Sequence, residues 1–321
     1  MSASTRVPSH IEYAIARFLS HKRALGRRYR GEEFLLRRLC RHLKKESTHD
    51  LDAGSFRRWL AFLRNRHPNT RRKWHQIVRN FCLHRRRSEP DCFVPPDDFA
   101  KLQPYVTPVM IEPDQISRML QLASGLTPHP RSPLRAPATR LAVVLLYTAG
   151  LRLGELLRLA VVDIEDNGTV LRIRESKFHK SRLVPLSPSA SRELRDYLQL
   201  RGQIFPMDPH SPLLCGHRRR GPKGFSHPGM QDAIRRLYIA AGVRDGQGRY
   251  PRVHDLRHNF ALHALIRWYR AGADVQSMLP KLALFMGHVS IESSAYYLRW
   301  VPTLRRLASD RFESQFGHFV A

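Results

Sequence analysis

The segment His254-Asp255-Leu256-Arg257-His258 is the stretch of sequence around which the rest of the chain can be interpreted. Downstream, Met286-Gly287-His288-Val289-Ser290 precedes Tyr297, which lies nine residues beyond His288. Far upstream lies a third segment, Thr148-Ala149-Gly150-Leu151-Arg152-Leu153-Gly154-Glu155. Arginines, histidines and a tyrosine therefore occur in short motifs that are widely separated along the chain.

These side chains suit the chemistry of a phosphodiester. The planar guanidinium fork of arginine can neutralise two non-bridging phosphate oxygens at once. A histidine can donate to the same oxygens or move a proton, and a tyrosine hydroxyl can act as a covalent nucleophile. Because the set includes no carboxylate cluster that would hold Mg²⁺, we expect chemistry that needs neither a metal nor another cofactor.

The order arginine, lysine, His-x-x-Arg, Gly-His and tyrosine resembles that of the tyrosine recombinase (phage integrase) family, with motifs over about residues 111–300. The resemblance implies that Tyr297 attacks a scissile DNA phosphate and leaves a 3′-phosphotyrosyl bond. It also implies that Arg152, Arg257 and His288 hold the phosphoryl group. By the same resemblance, His254 assists the transfer of a proton.

The lysine of this family lies on a β-hairpin, and the sequence predicts a hairpin in the corresponding place. Two alternating runs, 169–174 and 181–186, flank the basic turn Glu175-Ser176-Lys177-Phe178-His179-Lys180. The resemblance gives Lys177 the role of protonating the departing 5′-oxygen. Lys180 is the alternative, because the turn lacks the glycines that the family usually has there.

Charge and composition narrow the class of partner. The chain of 321 residues has 55 Lys and Arg against 27 Asp and Glu, a net charge of +28, and a pI near 11.1. Such an excess indicates a polyanion, and nucleic acid is the commonest one. A hydrophobic content of 42% predicts a packed core rather than disorder.

Other sequence features predict where the protein works. No apolar run is long enough to cross a membrane, and the N-terminus lacks the apolar core of a signal peptide. The four cysteines match neither a zinc site nor a disulfide framework. We therefore expect a soluble cytoplasmic protein, associated with the nucleoid and not with a membrane.

The predicted fold is mainly α-helical and has two domains. Residues 1–90 read as helical and 91–110 as a proline-rich linker. The resemblance implies that 1–90 are a core-binding domain that clamps DNA and that the catalytic domain follows the linker. Residues 111–321 form the catalytic domain, which is α-rich, contains a small antiparallel β-sheet and ends in a C-terminal helix. Within the first domain, Asp52 is expected to cap one helix, and Asn69 or Thr70 the next.

The first 90 residues hold 23 of the basic and only 7 of the acidic residues, which is more than half of the excess charge. Basic clusters without acidic partners are typical of surfaces that follow a phosphate backbone. The candidate DNA-binding residues are Arg27, Arg28, Arg71, Arg72 and Lys73.

These observations predict a site-specific recombinase that cuts and rejoins double-stranded DNA for integration, excision or transposition, in a branch found on mobile elements. The resemblance also implies a head-to-tail homotetramer on DNA, joined by an apolar stripe within 302–316. Two alternatives stay open, namely a type IB topoisomerase, which needs one protomer, and a non-catalytic DNA-binding protein. A zinc site at His254, His258 and His263 is disfavoured, because the segment lacks the His-Glu-x-x-His pattern.

Overall fold

A computed structural model describes residues 10–27, 29–104, 106–130, 132–174, 181–216 and 221–287. The chain divides into two compact units, Met1–Val106 and Thr107–Ala321. The predicted fold class is confirmed, because the described part is mainly helical with two small antiparallel sheets. Several predicted features lie outside the described residues: Arg28, Lys177, Lys180, His288, Tyr297 and the stripe within 302–316.

The first unit is a helical bundle built on apolar residues at helical spacing. Over its described residues it contains α1 (His10–Ala24), α2 (Arg30–Lys45), α3 (Ala53–Phe62) and α4 (Pro68–Arg85). Leu36, Leu39, Trp59 and Phe81 are fully buried where these helices meet. The helices expected over residues 1–90 are thus present, and their apolar residues form the core of this unit.

The two predicted helix caps had different outcomes. Asp52 caps α3 as expected, since its carboxylate accepts from the Ser55 amide at 2.7 Å and the Ser55 hydroxyl accepts from the Asp52 amide. The expectation of Asn69 or Thr70 as the cap of α4 was wrong. This helix begins at Pro68, whose fixed φ suits a first helical position, and His67 caps it.

The side chain of Asn69 is used by the proline-rich segment instead. Its Oδ1 accepts from the Gln103 amide at 2.7 Å, and its Nδ2 donates to the Gln103 carbonyl at 2.9 Å. One and two turns further along α4, Arg72 donates to the Ala100 carbonyl at 3.2 Å and His75 Nε2 lies 2.8 Å from the Pro96 carbonyl. Residues 96–103 thus lie along α4, because irregular backbone needs side-chain partners for its polar groups.

The second unit places a long apolar helix at its centre. Its described elements are α5 (Pro113–Ser124), α6 (Arg135–Thr148), α7 (Leu153–Leu156), β1 (Ile164–Glu165), β2 (Val170–Ile173), β3 (Arg182–Pro185), α8 (Pro188–Ile204), β4 (Cys215–Gly216), β5 (Lys223–Gly224), α9 (His227–Ala240), α10 (Val253–Arg270) and α11 (Val275–Met286). Helix α6 is apolar nearly all round and packs against α5, α8, α9 and α10. It therefore holds together the elements that carry the candidate site.

The predicted hairpin is present as β2 and β3. The two strands are antiparallel, with Val170 opposite Pro185 and Ile173 opposite Arg182. The short strand β1, which the sequence reading did not predict, pairs with the other edge of β2. This register places Arg182 at the first paired position of β3, after residues 175–180, which include Lys177 and Lys180.

A polar stripe on α10 holds the backbone that enters this unit. Asn259 is fully buried, accepts from the Ile111 amide at 2.8 Å and donates to the Val109 carbonyl at 2.9 Å. One turn earlier, the Asp255 carboxylate lies 3.4 Å from the Val109 amide. Helix α10 is thereby fixed in the core by hydrogen bonds as well as by packing.

None of the described helices is long and apolar enough to cross a membrane.

Candidate active site

Arg152 lies at the junction between α6 and α7. The chain turns at Gly150, whose φ of +60° is unfavourable for other residues. A Cβ at this position would lie 2.5 Å from a ring carbon of Phe260, so the turn also needs the absence of a side chain. The turn lets Arg152 become the N-cap residue of α7, with its guanidinium close to the buried carboxylate of Glu155.

Arg257 reaches the same place from α10. This helix begins at Val253 and is capped by Asp255, whose carboxylate accepts from the Arg252 amide at 3.0 Å. Arg257 is 1% exposed, and its guanidinium donates to the Gly150 carbonyl and to the Met286 carbonyl. It therefore joins the α6–α7 turn to the end of α11.

The end of α11 accepts hydrogen bonds from three arginines on three different elements. Arg182 Nε donates to the Phe285 carbonyl at 2.8 Å, Arg257 donates to that of Met286, and Arg152 Nη2 donates to that of Gly287 at 2.9 Å. The last carbonyls of a helix have no partner within the helix and lie at its negative end. An arginine side chain supplies N–H donors for the unpaired carbonyls and a positive charge for the negative end of the helix.

Gly287 ends α11 in the left-handed conformation, with a φ of +65°. This is the usual geometry of a helix C-cap, and glycine is the residue that adopts it without strain. Its carbonyl belongs to the peptide bond whose nitrogen is that of His288. The motif Gly287-His288 therefore begins at a backbone position that arginines hold directly.

Glu155 lies 3% exposed between two of these arginines. Its Oε1 is 2.6 Å from Arg152 Nη1, and its Oε2 is 2.9 Å from Arg182 Nη2. Burial alone would raise the pKa of this carboxyl, but the Arg182 and Arg152 partners outweigh burial and lower the pKa to about 2. Glu155 is therefore an anion that orients guanidinium groups, not a proton donor.

His254 is on the first turn of α10, three residues before Arg257. Loss of solvent around the ring, followed by the nearby cations of Arg257 and Arg152, lowers the pKa of His254 to about 4. The residue as a whole remains exposed, so water can still reach part of it. Its ring is accordingly neutral at pH 7 and can accept a proton. The ring of His258 packs edge-on against it, with 4.6 Å between ring centroids.

The structure thus brings Arg152, His254 and Arg257 together, although about 100 residues separate the first from the other two. The assigned roles of Lys177, Lys180, His288 and Tyr297 fall outside the described residues and stay predictions. No group of three or more His, Cys, Asp or Glu residues that could hold a metal ion occurs in the part of the chain that the structure describes.

Sequence reasoning missed Arg182. The strand alternation over 181–186 predicted a β-strand, but it gave Arg182 no role. Strand periodicity tells which side chains share a face of a sheet, but not which distant carbonyl one of them reaches. The sequence shows only that an arginine stands at the start of the second strand of the hairpin. That position does not identify the groups to which the arginine bonds.

The basic residues of the first unit are distributed over different environments. Arg27 is exposed in the turn after α1, and Lys73 is exposed on α4. Arg71 and Arg72 on the same helix are partly buried. The Arg72 guanidinium lies 5.1 Å from the ring centre of Phe99, in addition to its bond to the Ala100 carbonyl. Lys73 is thus more open to a partner than Arg72.

Comparison with known proteins identifies the family to which this sequence is similar. The profile of the phage integrase family matches residues 110–301. A Sinorhizobium fredii protein named "Putative integrase/recombinase y4rB" is 31% identical over 309 residues, which are 95% of this chain and 98% of that protein. Tyrosine recombinase XerA of Thermococcus kodakarensis is 29% identical over 252 residues, which are 78% of each chain.

Solved structures share the fold at low sequence identity. The Tn1549 transposon integrase, bound to a circular intermediate DNA, has a TM-score of 0.65 and 16% identity over 95% of this chain and 100% of that chain. The XerH site-specific recombinase, bound to its difH substrate after cleavage, has a TM-score of 0.59 and 16% identity, covering 83% and 70% of the two chains.

The neutral state of His254 can be tested by NMR titration of the protein with labelled imidazole nitrogens. In the free protein the ring should stay neutral from pH 8 down to about 5, because its pKa is lowered to about 4. Binding a DNA oligonucleotide should raise that pKa, since phosphate anions then offset Arg152 and Arg257. A midpoint near the ordinary value of about 6.5 in the free protein would show that neither loss of solvent nor these cations act on the ring.

Proposed function

This chain belongs to the phage integrase family and is a tyrosine-type site-specific DNA recombinase, and from that membership we propose that it cuts and rejoins duplex DNA through a 3′-phosphotyrosyl intermediate on Tyr297. The observation that carries the proposal is the meeting of Arg152, Arg257 and a neutral His254 beside the end of α11. The next residue along the chain, His288, then completes the set that the resemblance assigns.

We assign the two arginines to the phosphoryl group. A guanidinium has five N–H donors, and among the described residues Arg152 uses Nη1 on Glu155 and Nη2 on Gly287. A quarter of its side chain is exposed, which leaves donors for the non-bridging oxygens of a bound phosphate. Arg257 is held more firmly, in the core, and adds a second fixed cation. Charges held in place before the reaction stabilise a transition state without reorganisation.

The proposed chemistry balances without a cofactor. In cleavage, a bond forms between the Tyr297 oxygen and phosphorus, and the bond between phosphorus and the 5′-oxygen breaks. The neutral ring of His254 assists removal of the phenolic proton, and the Lys177 ammonium gives a proton to the departing 5′-oxygen. Rejoining runs the same steps in reverse with a 5′-hydroxyl as the nucleophile. The phosphotyrosyl bond conserves the energy of the broken phosphodiester, so ATP is not needed.

The domain assignment and the assembly are part of the same proposal. Residues 1–90 would clamp DNA, 91–110 would link the two parts, and 111–321 would carry the chemistry. We further propose that four protomers join head to tail on DNA through their C-terminal residues, during integration, excision or transposition of a mobile element. Support comes from the net charge of +28 and from the similarity to "Putative integrase/recombinase y4rB" over 95% of this chain.

Tyr297→Phe should abolish covalent capture of DNA while leaving binding unchanged, because the phenyl ring lacks the nucleophilic oxygen. Tyr296→Phe is the matched control and should keep the activity, since the resemblance assigns the nucleophile to Tyr297, nine residues beyond His288. Suicide substrates that carry a nick beside the cleavage site would trap the adduct, and peptide mapping would locate it. An adduct on Tyr296 or on another residue would contradict the assignment.

Lys177→Ala should slow cleavage by roughly 10²–10⁴-fold, the usual range for a lost general acid. A substrate with sulfur in place of the bridging 5′-oxygen should restore the rate, because a thiolate leaves without being protonated. Lys180→Ala serves as the control, with little effect on either substrate. If the sulfur substrate rescues Lys180→Ala instead, the general acid is Lys180 and our alignment of the hairpin is wrong.

Lys73→Gln should weaken binding of duplex DNA and flatten its salt dependence. Losing one phosphate contact changes the slope of log affinity against log salt by about 0.9. Lys44→Gln makes the same change of charge in the same unit, but Lys44 already pairs with Glu12 at 2.6 Å. This control should leave the slope nearly unchanged. Equal slopes for Lys73→Gln and the wild type, in fluorescence anisotropy titrations, would remove Lys73 from the proposed DNA surface.

A further inference from the structure

Arg182 is a third arginine at the candidate site, and it has no part in the chemistry described above. It is the first residue of β3, and only 9% of its side chain is exposed. A guanidinium cation this far from water is costly unless nearby groups satisfy its donors and its charge. Its partners therefore show what the residue is for.

Those partners belong to two other elements of the site. Nη2 lies 2.9 Å and Nη1 3.3 Å from the two carboxylate oxygens of Glu155, a two-pronged pairing with the N-terminal turn of α7. The remaining nitrogen, Nε, donates to the Phe285 carbonyl at 2.8 Å. One side chain thus joins the hairpin, the α7 turn and the end of α11.

The close fit extends to Gly287. A Cβ added to this residue would lie 2.8 Å from Arg182 Nη1 and 3.1 Å from its Cζ. The guanidinium therefore packs directly on the backbone of the C-cap, where a side chain would displace it. The absence of a side chain at Gly287 thus serves two needs, the positive φ and the approach of Arg182.

Two paths lead from Arg182 to the phosphate-binding arginines. Glu155 is shared, since the carboxylate that accepts from Arg182 also accepts from Arg152 at 2.6 Å. The helix end is shared too, because Arg152 and Arg257 donate to the two carbonyls that follow Phe285. Removing Arg182 would take away the partner that Glu155 has on β3 and leave its carboxylate with its bonds to Arg152. It would also leave the end of α11 held by two of these arginines instead of three.

We propose that Arg182 is a positioning residue for the recombination reaction, which holds Glu155 and the end of α11 so that Arg152 and Arg257 keep the geometry needed to bind the scissile phosphate. The proposal rests on the proposed function. Arg182 contacts no substrate atom in this role, and its effect passes through the two arginines.

The test compares three variants with the wild type in single-turnover cleavage of a nicked suicide substrate, at protein concentrations that saturate the DNA. Arg182→Met keeps the length and packing of the side chain but removes its charge and donors. Arg182→Lys keeps the charge beside Glu155 but cannot also reach the Phe285 carbonyl. Arg140→Met is the matched control, because Arg140 is a partly buried arginine of the same unit that pairs with Glu193, away from the end of α11.

Arg182→Met should cleave about 10²-fold more slowly than the wild type, since a misplacement of about 1 Å at reacting groups costs that much. Its affinity for DNA should be unchanged, because the defect lies in the chemical step. Arg182→Lys should recover part of the rate, and Arg140→Met should cleave like the wild type even where its melting temperature falls. All rates are measured well below the melting temperature of each variant.

The proposal is overturned if Arg182→Met cleaves at the wild-type rate, or if Arg140→Met loses as much activity as Arg182→Met. If Arg182→Met does not fold, Arg182→Lys decides the matter, and a wild-type rate for that variant overturns the proposal. Failure of the wild type itself to form an adduct would instead refute the proposed function, so the two outcomes are distinguishable.

Discussion

Guanidinium groups that are withdrawn from water need partners for their donors, and at this site three of them share the three carbonyls at the end of α11 and its C-cap. Arg182, Arg257 and Arg152 each take one of them, from a strand, a helix and a helix N-cap respectively. The three donors lie on three different elements, so the arrangement forms only when β3, α7, α10 and α11 are packed together. The end of α11 therefore fixes the positions of the three arginines, because each of them hydrogen-bonds to it.

The electrostatic consequence is a site with a fixed excess of positive charge. Glu155 is ionised and neutralises part of the charge, because burial is outweighed by its two arginine partners. Loss of solvent around the ring, and then the nearby cations of Arg257 and Arg152, lower the pKa of His254 and keep its ring neutral. A phosphodiester entering the site would supply the missing negative charge, and it would do so beside a ring that can still accept a proton. Binding and proton transfer are thus linked through the same arginines.

Sequence periodicity predicted the hairpin strands β2 and β3 but missed β1, and it gave none of the polar contacts among the elements. The alternation of 169–174 and 181–186 predicted the hairpin, and residues 1–90 were correctly expected to be helical. By contrast, the fully buried Asn259 bonds to backbone almost 150 residues away in the sequence, and Asn69 bonds to Gln103 instead of capping α4. The spacing of a polar residue along the sequence does not identify its hydrogen-bond partner. Such contacts can therefore be identified only from the folded structure. The family motifs supplied Arg152 and Arg257, but not the carbonyls that hold them.

Because the site arginines bond to the end of α11, the candidate site can form only late during synthesis of the chain. The acceptors for Arg182 and Arg152 lie 103 and 135 residues downstream of them, and a ribosome delivers the first unit, with its basic helices, before any of these residues. A nascent chain can therefore fold a cationic bundle while the reactive arrangement does not yet exist. Contacts between residues so far apart in sequence also form slowly, because a long loop must close first. Competence to break DNA would then arise only after the chain has been made as far as Gly287.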